Sequence, residues 1–479
     1  MKKMNLLVMS LVSAAALSFT SCTDSEDLAG NSQNKVDKFY MTLTVQTPTS
    51  NGTRTAQKNP HEASKEESYV TSGTFYLVEA NGKIAESITI DEKAWADAKI
   101  PQQGNDGKTT LQIPVKDVTA GTKYSVYFLA NATSKSPLTD VFTSNDKFAK
   151  AYSTANNFAM FNQNDADVKG DSHTVVFKSD NKDANSPAKV SSTINIERLT
   201  ARIDEPKSEA TAIKNYDDVE NAKPTPEQKE ANAKALNAVK SLKLTRYAIS
   251  NVANKTNVMQ QWTNATTLSI PTGIIYFQPT TEFGTKTLLQ NYNYFNDVTT
   301  DRSHKDYIFE NNSSDDATSM YFEYTVELSD EYKNKADFGD GTFYRYNKVI
   351  YSSIQDIIDA YKDVKAIFDG KDAQKVVDEL KAAQAGPNSE AKLDEFRKKY
   401  DIEVFNAGKT YYVQKIQDQY LGVANTIQRN SIYLLNVKNI FNVGAQVPNG
   451  GPDDRTLYYL DVEVSVNPWV LNSYDVDLQ

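Results

Sequence analysis

Cysteine occurs once, at Cys22, so this chain of 479 residues can close no disulfide on itself and has no Cys-x-x-Cys pair for redox or zinc chemistry. Its three histidines, His61, His173 and His304, stand far apart, and none falls into a metal-ligand spacing such as His-Glu-x-x-His. Each is expected at the surface or in a turn. Lys and Arg number 52 against 62 Asp and Glu, a net charge of −10. No basic stripe stands out to neutralise a run of phosphates, which argues against nucleic acid as a partner. Past residue 17 no apolar run approaches the roughly 18 residues a membrane-spanning helix needs.

Catalytic signatures are missing too. There is no Gly-x-Ser-x-Gly elbow, no phosphate-binding Gly-x-x-x-x-Gly-Lys loop and no dinucleotide fingerprint. Asp165-Ala166-Asp167-Val168-Lys169-Gly170 opens like a calcium loop, but Lys169 takes a ligand position and Val176 stands where a bidentate Glu is needed. Asp337-Phe338-Gly339 spells a kinase triplet without the rest of the kinase set, and Gly339-Asp340-Gly341 reads as a tight turn. No enzyme, no metal site and no cofactor is expected.

The lone cysteine explains itself by position. Met1-Lys2-Lys3 is a positive start, 6–17 an apolar stretch of secretory length, and Thr20-Ser21 supplies small residues before Cys22. Residues 1–21 read as a signal peptide, Cys22 as the lipidated residue, and 22–35 as a polar tether bearing Asp24, Glu26 and Asp27.

What is abundant is aromatic: 27 Tyr and 20 Phe tilt the chain toward β-structure. The first strand is expected at 39–46, where Phe39, Met41, Leu43 and Val45 alternate with Tyr40, Thr42, Thr44 and Gln46. A long polar loop holding Arg54 and Thr55 follows. Further strands are expected at 73–80, 109–114, 124–131, 174–178, 190–203 and 242–251, then at 268–277, 319–328, 342–351, 410–416, 432–440 and 457–466.

A helix should begin at Pro226 behind the N-cap Thr225. A second is marked by Ile354, Ile357, Ile358, Tyr361, Val364 and Phe368, with two more flanking Gly386-Pro387. Near the C-terminus, 469–478 reads as a strand with Val470, Tyr474, Val476 and Leu478 on one face, broken only by Asn472, and Asp475 and Asp477 on the other. The fold expected is mainly β: two β-sandwich domains, 36–258 and 259–479, meeting near 254–261, with a helical insertion at about 353–400.

The C-terminal residues then become specific. Within 459–478, Pro468-Trp469 and Ser473-Tyr474-Asp475-Val476-Asp477-Leu478 resemble the closing strands of the short, Mfa-type major fimbrillins of Gram-negative anaerobes. Arg429-Asn430-Ser431-Ile432-Tyr433 resembles another block of that family, and Glu197-Arg198, Ala201-Arg202 and Tyr127-Phe128-Leu129-Ala130-Asn131 resemble its N-terminal domain. The resemblance implies sandwiches of transthyretin-like type, a lipidated Cys22, and cutting between Arg54 and Thr55 by an Arg-specific protease. It further implies that Phe39, Met41, Leu43 and Val45 leave with a removable strand within 36–54. The vacated groove would take the C-terminal strand, about 467–479, of another copy, with Val470, Tyr474, Val476 and Leu478 as donor side chains. Such a chain would be the stalk of an adhesive, virulence-related fimbria. Its partners are identical subunits, accessory anchor and tip proteins, the protease, and the outer membrane through the lipid. The competing readings are a tip or anchor subunit, and a non-polymerising surface lipoprotein that binds glycans through exposed aromatics.

Overall fold

A computed structural model describes residues 38–47, 61–62, 64–100, 107–131, 152–164, 173–220, 222–264, 267–277, 295–364, 367–416, 418, 425–448 and 460–470. Over these the chain is mainly β with helical insertions. The opening strands are β1 (Phe39–Gln46), β2 (His61–Glu62), β3 (Gly73–Val78), β4 (Ile84–Ile90), β5 (Lys99–Ile100), β6 (Lys108–Val115) and β7 (Lys123–Ala130).

The first sheet runs β4, β3, β7, Met160–Asn162, Ile194–Arg198, β1, β6, β5, with Thr174–Val176 added beside β7 and Ala188–Lys189 beside β1. Its alternating inward residues, joined by Phe75, Trp95, Phe128 and Phe177, form one apolar cluster. Gly73 opens β3 where a Cβ would lie 2.3 Å from the Phe128 ring, so no side chain fits there.

A second sheet runs β2, Leu460–Val470, Ser431–Ile440, Ala201–Asp204, Lys305–Ile308. A third runs Asn296–Asp297, Val239–Ser250, Ser319–Leu328, Lys409–Lys415. Most of the long expected strands are present, Ser319–Leu328 with the predicted bounds. The run expected at 190–203 divides into Ile194–Arg198, in the first sheet, and Ala201–Asp204, in the second, so the chain changes sheets at Leu199–Thr200. The run at 268–277 pairs only at its ends, because Pro271 and the left-handed Gly273, φ 64°, turn the chain between them.

Helix Pro226–Ala238 starts as expected: Gln228 donates its backbone N–H to the Thr225 hydroxyl at 3.2 Å, and its side chain accepts from the Thr225 N–H at 2.8 Å. The helix read through Phe368 stops at Ala360. Tyr361 leaves the helical region, and Phe368 and Asp369 take φ values of 50° and 56°. Ile354–Ala360, Ala373–Gln384 and Ser389–Tyr400 still share one core with Phe343–Tyr346 and Glu403–Phe405, built on Tyr344, Ile357, Leu380, Leu393, Phe396 and Val404. Asp337 belongs to this unit as a structural group, accepting from the Tyr344 hydroxyl at 3.0 Å and the Ile354 N–H at 2.7 Å.

Candidate functional site

β1 lies inside a sheet, not at its edge. It pairs antiparallel with β6 along all of its length, from Phe39 opposite Val115 to Gln46 opposite Lys108. Its other edge pairs parallel with Ala188–Lys189 and then with Ile194–Arg198, through Val45 opposite Ile194. Phe39, Met41, Leu43 and Val45 are each no more than 3% exposed. The same inner face of β6 carries Leu111, Ile113 and Val115, also buried, and Phe39 meets Phe177 edge to face at 5.6 Å. On the outer face Thr44 and Thr110 join hydroxyls at 2.8 Å.

Taking β1 away would therefore do two things. It would uncover an apolar groove, and it would leave a row of backbone N–H and C=O groups on each flanking strand without partners. The four inward side chains represent about 6–12 kcal/mol of burial at roughly 1.5–3 kcal/mol each. Cys22, Arg54 and Thr55 lie outside the described residues, as do the residues from Asp165 to Gly170.

At the far end of the chain, Leu460–Val470 pairs antiparallel with Ser431–Ile440, from Ile440 opposite Leu460 to Ser431 opposite Pro468. Beyond that register the pairing passes to β2: His61 lies opposite Trp469 and Glu62 opposite Val470, in parallel. The backbone of Val470 is thus in place, whereas Tyr474, Val476 and Leu478 lie outside the described residues.

A polar network that alternation of residues does not announce joins the segment after β2 to Arg198 of the first sheet and Arg202 of the second. The Glu67 carboxylate is buried and accepts from Arg202 at 2.9 Å, from the Tyr307 hydroxyl at 2.8 Å, from Lys305 at 3.4 Å and from the Ser64 N–H at 2.8 Å. Arg198, fully buried, donates to the Glu67 carbonyl at 2.9 Å, to Asn430 Oδ1 at 2.9 Å and to the Ser68 hydroxyl at 3.3 Å. Arg429 donates to Glu310 at 2.7 Å, to the Val258 carbonyl at 2.8 Å and to the Asn257 carbonyl at 2.6 Å. Asn131 ties Thr71, Tyr69 and Phe158 through its side-chain amide.

Arg198, Arg202, Arg429, Asn430 and Asn131 are residues that carried the family resemblance, and each is buried. The signal available in the sequence was an arginine beside strand residues. His173, expected at the surface or in a turn, is instead 3% exposed, with Nδ1 2.8 Å from the Ser192 hydroxyl. It closes a loop against the first sheet, where Val126 donates its N–H to the His173 carbonyl.

The network has a measurable pH signature. Burial alone would raise the Glu67 carboxyl, but Arg202, the Ser64 N–H, Tyr307 and Lys305 together outweigh it and hold it at about 2, against an ordinary 4.5. A carboxyl lowered in the fold stabilises above the unfolded value and loses that contribution as pH falls toward the folded one. The Tm gap between the natural chain and Glu67→Gln should be widest above about pH 4.5, where it reflects roughly 3 kcal/mol. It should close as the pH approaches 2. Parallel Tm curves across that window would show that Glu67 is not paired as described.

Comparison with known proteins bears on this C-terminal region. Residues 403–475 match the family model described as major fimbrial subunit protein type IV, fimbrillin, C-terminal. Among curated proteins nothing matches. Among solved structures, a Parabacteroides distasonis protein assigned provisionally to cell adhesion is 13% identical, with a TM-score of 0.45 over 90% of this chain and 99% of its own. A fimbrilin of Porphyromonas gingivalis is 13% identical, with a TM-score of 0.42 over 91% of this chain and 99% of its own. Over residues 403–475, then, the chain is similar to the C-terminal region of the fimbrillins, as the resemblance of its closing residues implies.

Proposed function

We propose that this chain is a structural stalk subunit of a surface fimbria that polymerises by strand exchange. One observation carries the reading: a strand near the N-terminus fills the middle of a sheet with one wholly apolar face, and in the sequence Arg54 follows it by eight residues. A strand so placed is costly to leave vacant and readily replaced by another of the same alternation. The fimbrillin match at 403–475 supports the same reading.

On this reading the precursor is exported, lipidated at Cys22 and held at the outer membrane. An Arg-specific protease cuts between Arg54 and Thr55, which removes the lipid and frees β1. The C-terminal segment, about 467–479, of a second copy then enters beside β6, with Tyr474, Val476, Leu478 and, at its root, Val470 supplying the apolar face. Donor and groove are different surfaces of one chain, so the contact repeats head to tail and builds a filament. Accessory anchor and tip proteins would end it. On this reading the two halves, 36–258 and 259–479, act as two sandwich domains, although Ala201–Asp204, Val239–Ser250 and β2 all pair with strands of the second half.

The test uses the precursor with Cys22→Ser and an Arg-specific protease. The expected products begin at Thr55 and run as a ladder that survives mild detergent, and a chain lacking residues 473–479 gives the cut without the ladder. A correctly cut full-length chain that stays monomeric at high concentration would overturn the stalk reading in favour of a tip subunit or a glycan-binding lipoprotein.

A further inference from the structure

Residues 61–62, past the proposed cut, have a place of their own in the fold. β2 stands seven residues past Arg54 and lies beside the last described turn of the C-terminal strand, His61 opposite Trp469 and Glu62 opposite Val470. Ser431–Ile440 no longer reaches these positions, since its register ends with Ser431 opposite Pro468. Among the described residues, Trp469 and Val470 are paired in the sheet by β2 alone.

The segment just past β2 is fastened firmly. Glu67 and Ser68 are both 2% exposed and are held by Arg202, Tyr307, Lys305 and Arg198. Arg198 also donates to Asn430, which directly precedes Ser431, the partner of Pro468. One buried guanidinium therefore joins the segment after the cut to the end of the register that carries the C-terminal strand. A buried guanidinium held by three acceptors fixes geometry, because any displacement strands a charge away from water.

From this arrangement we infer that His61 and Glu62 are positioning residues for strand exchange. They form a two-residue clamp that keeps Trp469 and Val470 on their own subunit, both before the cut and in the fibre. This rests on the strand-exchange reading above and amends one part of it: the donated segment begins after Val470 and not at about 467, so Val470 stays out of the neighbour's groove, and residues 61–62 and 64–70 remain as part of the donor's root. Cutting after Arg54 severs β1 from β2, so the plug departs while the clamp stays, locked through Glu67.

The test is a disulfide across the clamp, His61→Cys with Trp469→Cys in the Cys22→Ser chain, where no other cysteine remains. Paired strand positions lie within the Cα separation a disulfide accepts. The bond should form in the precursor, and after cutting the oxidised chain should build the same ladder as the reduced one. No disulfide in a folded precursor, or an oxidised chain that is cut but stays monomeric while the reduced chain assembles, would overturn the clamp.

Hydrogen exchange on monomeric chains separates this inference from the reading it rests on. A chain starting at Ser64, which lacks β2, should lose protection over 466–470 relative to one starting at Thr55, and Glu67→Gln should lose part of it. Unchanged protection would overturn the clamp even if the ladder forms. If the reduced mature chain forms no ladder at all, strand exchange fails, and the clamp is decided by the disulfide and by exchange.

Discussion

Met41→Ala combined with Leu43→Ala should let the uncut precursor assemble without protease. Both side chains are 2% exposed or less and face the inner side of β6 opposite Ile113 and Leu111. Emptying a buried Leu or Met site costs about 2–5 kcal/mol. The two sites share one face and will not add independently, but a loss of several kcal/mol removes much of what holds β1 in its groove. A competing strand from another copy would then win without a cut. Size-exclusion chromatography of the uncut Cys22→Ser variant at high concentration reads the outcome. Ladders without protease are expected. A variant that stays monomeric and merely melts at a lower temperature would mean that β1 is an ordinary core strand.

The second large effect concerns Arg429. Its side chain is 0% exposed and holds Glu310 at 2.7 Å, with Glu197 at 3.9 Å and the carbonyls of Asn257 and Val258 also within reach. Arg429→Ala would leave these carboxylates buried without their cation, which costs about 3–5 kcal/mol. Denaturant unfolding should show the loss as a lower midpoint. Arg429→Met paired with Glu310→Leu removes both charges of the closest pair and should recover a good part of it. A single variant as stable as the natural chain would contradict the network, as would a double variant worse than the single.

These two predictions draw on different layers of what the sequence makes legible. β1 could be read outright, because Phe39, Met41, Leu43 and Val45 alternate without a break and burial follows the same alternation. The cap of Pro226–Ala238 could be read for an equally local reason, Thr225 and Gln228 standing three apart. The Arg429 network could not. Its members come from 197, 256–258, 310 and 429, and nothing local says which carboxylate an arginine will meet.

The helix beginning at Ile354 shows a middle case. Tyr361 and Phe368 do pack on the same core as Ile354 and Ile357, so the apolar spacing reported their burial correctly, but Val364, read on the same stripe, is 53% exposed because the helix has already ended at Ala360. It did not report continuity, because left-handed backbone at Phe368 and Asp369 brings the side chains inward without a helix. Likewise 190–203 reads as one apolar strand, while the bend at Leu199–Thr200 that sends Ala201–Asp204 to another sheet depends on partners more than a hundred residues away, at 305–308 and 431–440. The pairing of β2 with Trp469 and Val470 is two residues long, too short for any periodicity to mark.

The central claim is that the C-terminal segment of one copy takes the place of β1 in another, and an intermolecular cross-link tests it most directly. One chain carries Thr110→Cys on the outer face of β6, the other a cysteine placed in turn at Ser473, Asp475 or Asp477, both with Cys22→Ser. The two are cut with an Arg-specific protease, mixed and oxidised. A disulfide between the two chains at one or more of the three positions, absent before the cut, is the predicted result. Two folded, correctly cut chains that never cross-link at any of the three would contradict strand exchange.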